Sequence, residues 1–162
     1  MRIISGAQTG VDLASLQAAS RLGFKTGGWM PKGFINHTGQ HPEYAVLYGV
    51  QEHKSDRYPG RTFANVKDAQ VTILIAQNWN SAGEALTLKA IEQYKSPTYQ
   101  ISRYAMSHDA IVLELVGFIL KGNYRCVNFA GNSERTSPGI QKAAYKFLKK
   151  VFGCIKAIRG TD

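Results

Sequence analysis

The sequence contains no apolar run that reaches the roughly 20 residues needed to cross a bilayer. Its longest apolar stretch, from Ala110 to Leu120, is interrupted by Glu114 and has the length of a buried helix. Arg2 is followed by only two strongly apolar residues before a polar loop begins, which argues against a signal peptide. These absences predict a cytoplasmic protein with no membrane partner.

Cysteine is scarce, with only Cys126 and Cys154, which lie far apart in a sequence without export signals. We therefore expect reduced thiols rather than a disulfide. Neither cysteine has another beside it in the sequence, and Gly39 argues against a helix that would align His37 and His41 on a metal. The sequence thus predicts no metal site.

The common nucleotide-binding fingerprints are also missing. No G-x-G-x-x-G follows the first apolar run, and no G-x-x-x-x-G-K-[ST] occurs anywhere. These absences argue against ordinary NAD binding and against a Walker-type ATPase. His53, Ser55 and Asp56 lie close together in sequence, but catalytic triads are assembled from distant segments of a fold. We therefore predict no nucleophilic triad.

Acidic residues are few: 11 Asp and Glu stand against 20 Lys and Arg, so the formal net charge is +9. Such an excess of positive charge favours anionic partners. Between Gln141 and Arg159 there are six cations and no acid: Lys142, Lys146, Lys149, Lys150, Lys156 and Arg159. We interpret them as a solvated helix face that leads into a basic tail at 154–162, and nucleic acid is not the expected partner.

Short apolar runs alternate with helical patterns along the chain. The clearest strand is Val71–Ala76, a continuous β-branched run of the kind that central parallel strands require. Residues 34–60 are predicted to be largely irregular, and Thr62, Ser107 and Ser137 are expected helix caps. Further strands are predicted at 3–4, within 25–33, at 98–101 and at 126–129, and helices at 13–22, 62–69, 84–94, 107–121 and 139–152. This alternation predicts a single Rossmann-like α/β domain over residues 1–153, with an open parallel sheet and helices on both faces.

Three polar loops follow predicted strands and precede predicted helices, at residues 6–12, 77–83 and 130–139. In open parallel sheets, ligands bind beyond the carboxyl ends of the strands, so the three loops predict one cleft. Gly6 and Gly10 bracket the first loop, and the helix that follows begins with unpaired N–H groups and a positive dipole end. We therefore predict an anion site at this loop. Asp12, Glu84 and Glu134 could face the cleft, but Asp12 and Glu84 are expected to serve helix N-termini.

Several motifs occur in an order that identifies a family. They are Ser5–Asp12, Thr26–Gly33, Arg61 and Thr62, Asn65–Asp68, Ala85–Leu88, Asn128–Gly131 and Ser137–Ile140. Together they resemble the molybdenum cofactor carrier proteins of the SLOG superfamily, whose members have Rossmann-like nucleotide-binding domains. The resemblance extends from Ile3 to about Phe152.

This resemblance implies a non-catalytic carrier. Its ligand would be the molybdenum cofactor (molybdopterin), a pterin that carries a terminal phosphate and holds its metal by its own dithiolene. The carrier would protect the cofactor from oxidation and deliver it to apo-molybdoenzymes, and it would form a homo-oligomer, a dimer or a tetramer. The cofactor-binding residues expected from the motifs and loops are Gly6, Ala7, Gln8, Thr9, Gly10, Lys32, Arg61, Thr62, Ser81, Gly83, Asn132, Ser133 and Ser137. Gly10→Val and Arg61→Ala are expected to weaken binding without unfolding the protein.

The chain also departs from the family pattern. Ala7 stands where a second glycine is usual, Leu13 where an arginine is common, and Asn80–Glu84 where relatives have Gly-Gly-Thr. A sister branch that cleaves nucleoside monophosphates uses a glutamate at a place that corresponds here to Leu86 or Thr87, so no phosphoribohydrolase activity is expected. A sensor domain for a nucleotide-derived ligand remains the main alternative.

Overall fold

The computed structural model describes residues 1–160 and is built around a six-stranded parallel sheet. The strands within residues 1–160 are β1 (Arg2–Ile4), β2 (Lys25–Met30), β3 (Ile35–Asn36), β4 (Gly39–Gln40), β5 (Val50–Glu52), β6 (Val71–Ala76), β7 (Thr98–Ser102) and β8 (Cys126–Gly131). The order in the sheet is β5-β2-β1-β8-β6-β7, and β3 and β4 form a separate antiparallel hairpin.

The helices cover both faces of this sheet. They are α1 (Val11–Arg21), α2 (Glu43–Tyr48), α3 (Tyr58–Asp68), α4 (Ala82–Tyr94), α5 (Asp109–Lys121) and α6 (Ile140–Arg159), and a 3-10 helix spans Arg103–Ser107. α1, α5 and α6 pack together on one face, α3 and α4 on the other, and α2 lies beside β5. The predicted Rossmann-like α/β domain with an open parallel sheet is confirmed. No helix within residues 1–160 is long and apolar enough to span a membrane.

The core explains why β6 is almost entirely apolar. All six of its residues are buried. Ile73 and Ile75 belong to the large cluster beneath α1, α5 and α6, whereas Leu74 packs with Val66 and Ile91 beneath α3 and α4. Because successive strand residues point to opposite faces and both faces are covered, apolar side chains fill every position but Thr72, whose hydroxyl accepts from Asn128 Nδ2 at 3.3 Å. The run that predicted this strand is therefore the signature of a two-sided core.

Strand order brings three loops to one place. β8 pairs with β1 on one side and with β6 on the other, all three parallel. The chain runs outward from β1 to β2 and β5, crosses over to β6, and then runs outward to β7 in the opposite direction. The carboxyl ends of β1, β6 and β8 thus lie at the point where the direction reverses, where open α/β sheets bind ligands.

The segment 25–60 holds more regular structure than predicted. β2 has six residues, because Gly28 lets the backbone pass close to β1. A Cβ on Gly28 would lie 2.1 Å from the carbonyl oxygen of Ser5, and its φ is +122°. The stretch predicted to be irregular contains the β3–β4 hairpin, α2 and β5. Short elements of this size carry too little periodicity to stand out in a sequence.

Three predicted helix caps are wrong. α3 begins at Tyr58, so Thr62 lies inside it and its hydroxyl donates to the carbonyl of Tyr58 at 3.1 Å. Ser107 ends the 3-10 helix, and His108 takes the N-cap position of α5. α6 starts after Gly139 rather than after Ser137. Ser and Thr side chains can hydrogen-bond to the backbone in turns and inside helices as well as at N-caps. A Ser or Thr before an apolar run therefore indicates the region where a helix begins, but not the exact residue at which it begins.

α6 is also longer than predicted, since it continues to Arg159 through most of the expected basic tail. Ile155, in the extended part of α6, is fully buried. Lys156 donates to the carbonyl of Leu22 at 3.0 Å, and Arg159 donates to the carbonyl of Leu120 at 3.0 Å. Cations that bind carbonyls near the ends of α1 and α5 stabilise those ends. Residues 161 and 162, the end of the predicted tail, lie outside the described residues.

Candidate functional site

A cleft of about 440 Å³ opens at the carboxyl ends of β1, β6 and β8. The loops after these strands form its floor and one wall, and the first turn of α3 forms the other. Its size lies within the range of small-molecule sites. The residues that line it are Gln8, Asp12, His37, Tyr58, Arg61, Thr62, Ser81, Ala82, Gly83, Glu84, Leu86, Thr87, Ala130, Gly131, Ser133, Arg135 and Thr136.

The cleft brings together about half of the residues predicted from the sequence. Six line it: Gln8, Arg61, Thr62, Ser81, Gly83 and Ser133. The other seven do not: Gly6, Ala7, Thr9, Gly10, Lys32, Asn132 and Ser137. All three loops that were predicted to meet at one cleft do contribute to it.

The free backbone donors expected at the start of α1 are used within the protein. The N–H of Gly10 donates to Gln141 Oε1 at 2.9 Å, and the N–H of Val11 donates to the carbonyl of Asn132 at 3.2 Å. Ala7 is fully buried in a small apolar cluster. Gly10 has a φ of +91°, and a Cβ there would lie 2.2 Å from the carbonyl oxygen of Asn132. Gly10 therefore serves the packing of two loops, and Gly10→Val would destabilise the fold, contrary to the sequence-based expectation.

The anion that the first loop holds is the protein's own Asp12. Backbone N–H groups of Gly6 and Gln8 lie close enough to its carboxylate to favour the charged form and lower its pKa, and Arg61 Nη1 lies 3.3 Å from Asp12 Oδ2. A Cβ on Gly6 would lie 1.9 Å from Arg61 Nη1, so a glycine at this position admits the guanidinium. The predicted anion-binding loop exists, but an internal carboxylate occupies it.

Burial dominates the electrostatics of this ion pair. It raises the pKa of Asp12 to about 6 despite the nearby arginine, and it lowers the pKa of Arg61. The separation of 3.3 Å is longer than that of a strong charge-assisted hydrogen bond. Arg61 Nε is buried without a hydrogen-bond partner among residues 1–160, and the Tyr58 ring lies 5.5 Å from the guanidinium carbon. Arg61 is thus a buried cation with unused donor capacity at the cleft wall.

Three other predicted binding residues have structural or peripheral positions. Asn132 Oδ1 accepts the N–H groups of Gln77 and Asn78, both at 2.8 Å, and so ties two of the loops together. Ser137 is buried and donates to Gln77 Oε1 at 2.8 Å. Lys32 is exposed and lies away from the cleft. These residues shape the cleft or stand outside it.

Glu84 lies in the cleft wall at the start of α4. Ser81 is the N-cap residue of this helix, its hydroxyl accepts from the N–H of Glu84, and it donates to Glu84 Oε2. The Ser-x-x-Glu spacing is that of a capping box, a signal present in the sequence. Only 2% of Glu84 is exposed, and burial raises its pKa to about 7, with the charge of Asp12 acting in the same direction. Near neutral pH, this carboxyl therefore retains its proton to a large extent.

The cleft also contains residues that the sequence did not single out. Arg135 is exposed at its rim and forms no hydrogen bond or ion pair with any part of the chain that the structure describes. Tyr58 lies one helical turn before Arg61, a spacing at which side chains meet. Thr87 and Thr136 add hydroxyls. Within residues 1–160, no three His, Cys, Asp or Glu side chains are grouped so as to hold a metal ion.

Replacing Glu84 with glutamine is expected to flatten the dependence of stability on pH. The raised pKa means that the folded state holds this proton more tightly than the unfolded state, so stability is greatest below about pH 4.5 and falls as pH rises through 7. The loss between pH 5 and 8 is on the order of 3 kcal/mol for such a shift. Chemical denaturation at both pH values measures it. Glu92→Gln, an exposed position on the same helix, is the control and should show the same pH dependence as the wild type. If the wild type and Glu84→Gln lost equal stability between pH 5 and 8, Glu84 would not be the source of the pH dependence.

The sequence that forms this cleft matches a known protein family. Residues 3–152 match the circularly permutated YpsA SLOG family. The chain therefore belongs to this family, and the resemblance to SLOG proteins inferred from its motifs is confirmed.

Among solved structures, one relative is similar along almost its full length. The crystal structure of a protein named "Putative molybdenum carrier protein", from Syntrophus aciditrophicus SB, has 33% sequence identity to this chain. The match covers 93% of each chain with a TM-score of 0.85. No curated protein matches the sequence.

Proposed function

We propose that this protein binds the molybdenum cofactor in the cleft at the carboxyl ends of the strands, protects it from oxidation and delivers it to apo-molybdoenzymes. The observation that carries the proposal is the pair of arginines in the cleft, one in its wall and one at its rim. Arg61 has a buried, unpartnered Nε, and Arg135 forms no ion pair with any described residue. Together with the name of the structural relative, this favours a ligand with a terminal phosphate.

The rest of the cleft suits such a ligand. Hydroxyls of Thr62, Ser133 and Thr136 provide hydrogen-bond partners along its walls. The raised pKa of Glu84 reduces the negative charge that a bound phosphate would meet near neutral pH. Because the cofactor holds its metal by its own dithiolene, the protein needs no cluster of metal ligands. The proposal is one of binding and transfer without catalysis, in the cytoplasm.

The carrier is further proposed to assemble as a homo-oligomer. Val46 and Leu47 on α2 are 89% and 56% exposed, which is costly for side chains of this kind. Sedimentation velocity on the purified protein distinguishes a monomer from a dimer or tetramer.

An anaerobic titration with molybdenum cofactor tests the proposed cargo, with AMP and ADP titrated alongside. We expect saturable binding that slows oxidation of the cofactor. Arg135→Ala should weaken binding about tenfold, since it removes a charge-assisted contact worth roughly 1.5 kcal/mol. Because Arg135 has no partner among the described residues, the Arg135→Ala variant should show the same circular dichroism spectrum as the wild type.

Arg57→Ala is the matched control, because Arg57 is exposed and does not line the cleft. Its affinity should equal that of the wild type. Absence of cofactor binding by the wild-type protein would refute the proposal. Binding of a nucleotide alone would replace it with a sensor of a nucleotide-derived ligand.

A further inference from the structure

A second groove lies next to the cleft and shares two residues with it. The groove has a volume of about 510 Å³. His37 and Arg135 line both spaces and therefore stand at their junction. The remaining lining residues of this second groove are Thr9, Leu13, Thr38, Tyr44, Glu134 and Gln141. Each space is large enough for one ring system with its substituents, so a ligand can extend from one into the other.

The junction carries positive charge or hydrogen-bond donors. Arg135 is unpaired among residues 1–160, and a guanidinium matches the geometry of phosphate oxygens. His37 is held at this place by a hydrogen bond of 2.9 Å between its Nε2 and the hydroxyl of Thr9. The junction therefore suits a phosphate or pyrophosphate that links two parts of a ligand.

The second groove itself does not suit another anion. The carboxylate of Glu134 lies in it and accepts the N–H groups of Gly139 and Gln141 at the start of α6. The backbone donors that would attract an anion there are thus used, and a negative charge is already present. What remains is an apolar wall made of the ring of Tyr44, which stacks on His41 with 4.7 Å between ring centroids, and the 6% of Leu13 that is exposed. The Thr9 hydroxyl is hydrogen-bonded to His37 and the Thr38 hydroxyl to Asn36 and His41, and each oxygen keeps a lone pair that can accept from a ligand hydroxyl.

We infer that the second groove binds a neutral nucleoside. The cargo would then be a cofactor in its dinucleotide form, with the pterin in the cleft, the nucleoside in the second groove and the pyrophosphate between them at Arg135 and His37. A nucleoside offers a flat ring for the apolar wall and ribose hydroxyls for the threonines, and it brings no charge to Glu134. This inference rests on the proposed function and specifies the chemical form of its ligand.

Affinities for two forms of the cofactor, measured anaerobically by isothermal titration calorimetry, test the inference. The probes are the molybdenum cofactor with a terminal monophosphate and the same cofactor as its cytidine or guanosine dinucleotide. We expect the wild-type protein to bind a dinucleotide at least tenfold more tightly than the monophosphate. Leu13→Trp and Thr38→Trp, which fill the groove from two sides, should reduce this ratio to about one. Thr38 is exposed, so its variant should fold even if Leu13→Trp does not.

Leu113→Trp is the control, because Leu113 is exposed on α5 and lines neither space. The ratio of its affinities for the dinucleotide and the monophosphate forms should equal that of the wild type. Equal affinity of the wild type for both forms would overturn the inference and leave the proposed function intact. A high ratio that neither groove variant lowers would place the nucleoside elsewhere and also overturn it. Failure of both forms to bind would refute the proposed function itself.

Discussion

Gly10→Ala is expected to lower the free energy of unfolding by about 4 kcal/mol. Two effects add at this position. A φ of +91° is a conformation that residues with a Cβ rarely adopt, which costs on the order of 1–3 kcal/mol. The new Cβ would also lie 2.2 Å from the carbonyl oxygen of Asn132, which is backbone and cannot rotate away. Denaturation in guanidinium chloride, followed by circular dichroism, measures the loss.

Gly39→Ala separates the two effects. Gly39 has a φ of +126°, but a Cβ there would meet no atom within 4 Å. It should therefore show the cost of the backbone conformation alone, on the order of 1 kcal/mol. Equal losses in the two variants would mean that the start of α1 does not pack against the loop after β8. A larger loss for Gly10→Ala supports that packing.

The fold was predictable because its main signals are local. The run at β6 is buried on every residue and apolar on all but Thr72, and helical patterns flank it at suitable lengths. The end of α6 was not predictable in this way. Lys156 and Arg159 resemble a solvated tail in sequence, yet they donate to carbonyls 134 and 39 residues away. Long-range hydrogen bonds of this kind have no sequence period that could reveal them.

In the candidate site, too, contacts between residues far apart in sequence could not be predicted. The motif of Arg61 and Thr62 pointed to Arg61, which lies in the cleft wall. Loop composition pointed to the position of the cleft and to Gln8 and Ser133 in its lining. It did not predict what the loop donors bind, because their partners are distant in sequence. Gly10 donates to Gln141, 131 residues away, and Asp12 pairs with Arg61, 49 residues away. A helix start that looks free in sequence can thus be satisfied internally, and only the tertiary structure shows it.

Arg61→Met should lower stability at pH 7.5 by about 3 kcal/mol, because it leaves the buried carboxylate of Asp12 without its cation. This differs from the sequence-based expectation that loss of Arg61 affects binding alone. The pKa of Asp12, already raised to about 6, should rise further in the variant. Because the protonated carboxyl needs no cation, the deficit should shrink as pH falls toward 5. Chemical denaturation of wild type and variant at both pH values measures this.

Adding Asp12→Asn distinguishes a lost ion pair from lost packing. If the cost of Arg61→Met arises from an uncompensated charge, the double variant should recover most of the stability at pH 7.5 and show little dependence on pH. Arg57→Met, an exposed arginine just before α3, should be close to neutral. A double variant as unstable as Arg61→Met would contradict the account and assign the cost to packing of the arginine against Tyr58. Recovery of stability combined with loss of cofactor binding would show that this buried ion pair serves the ligand rather than the stability of the fold.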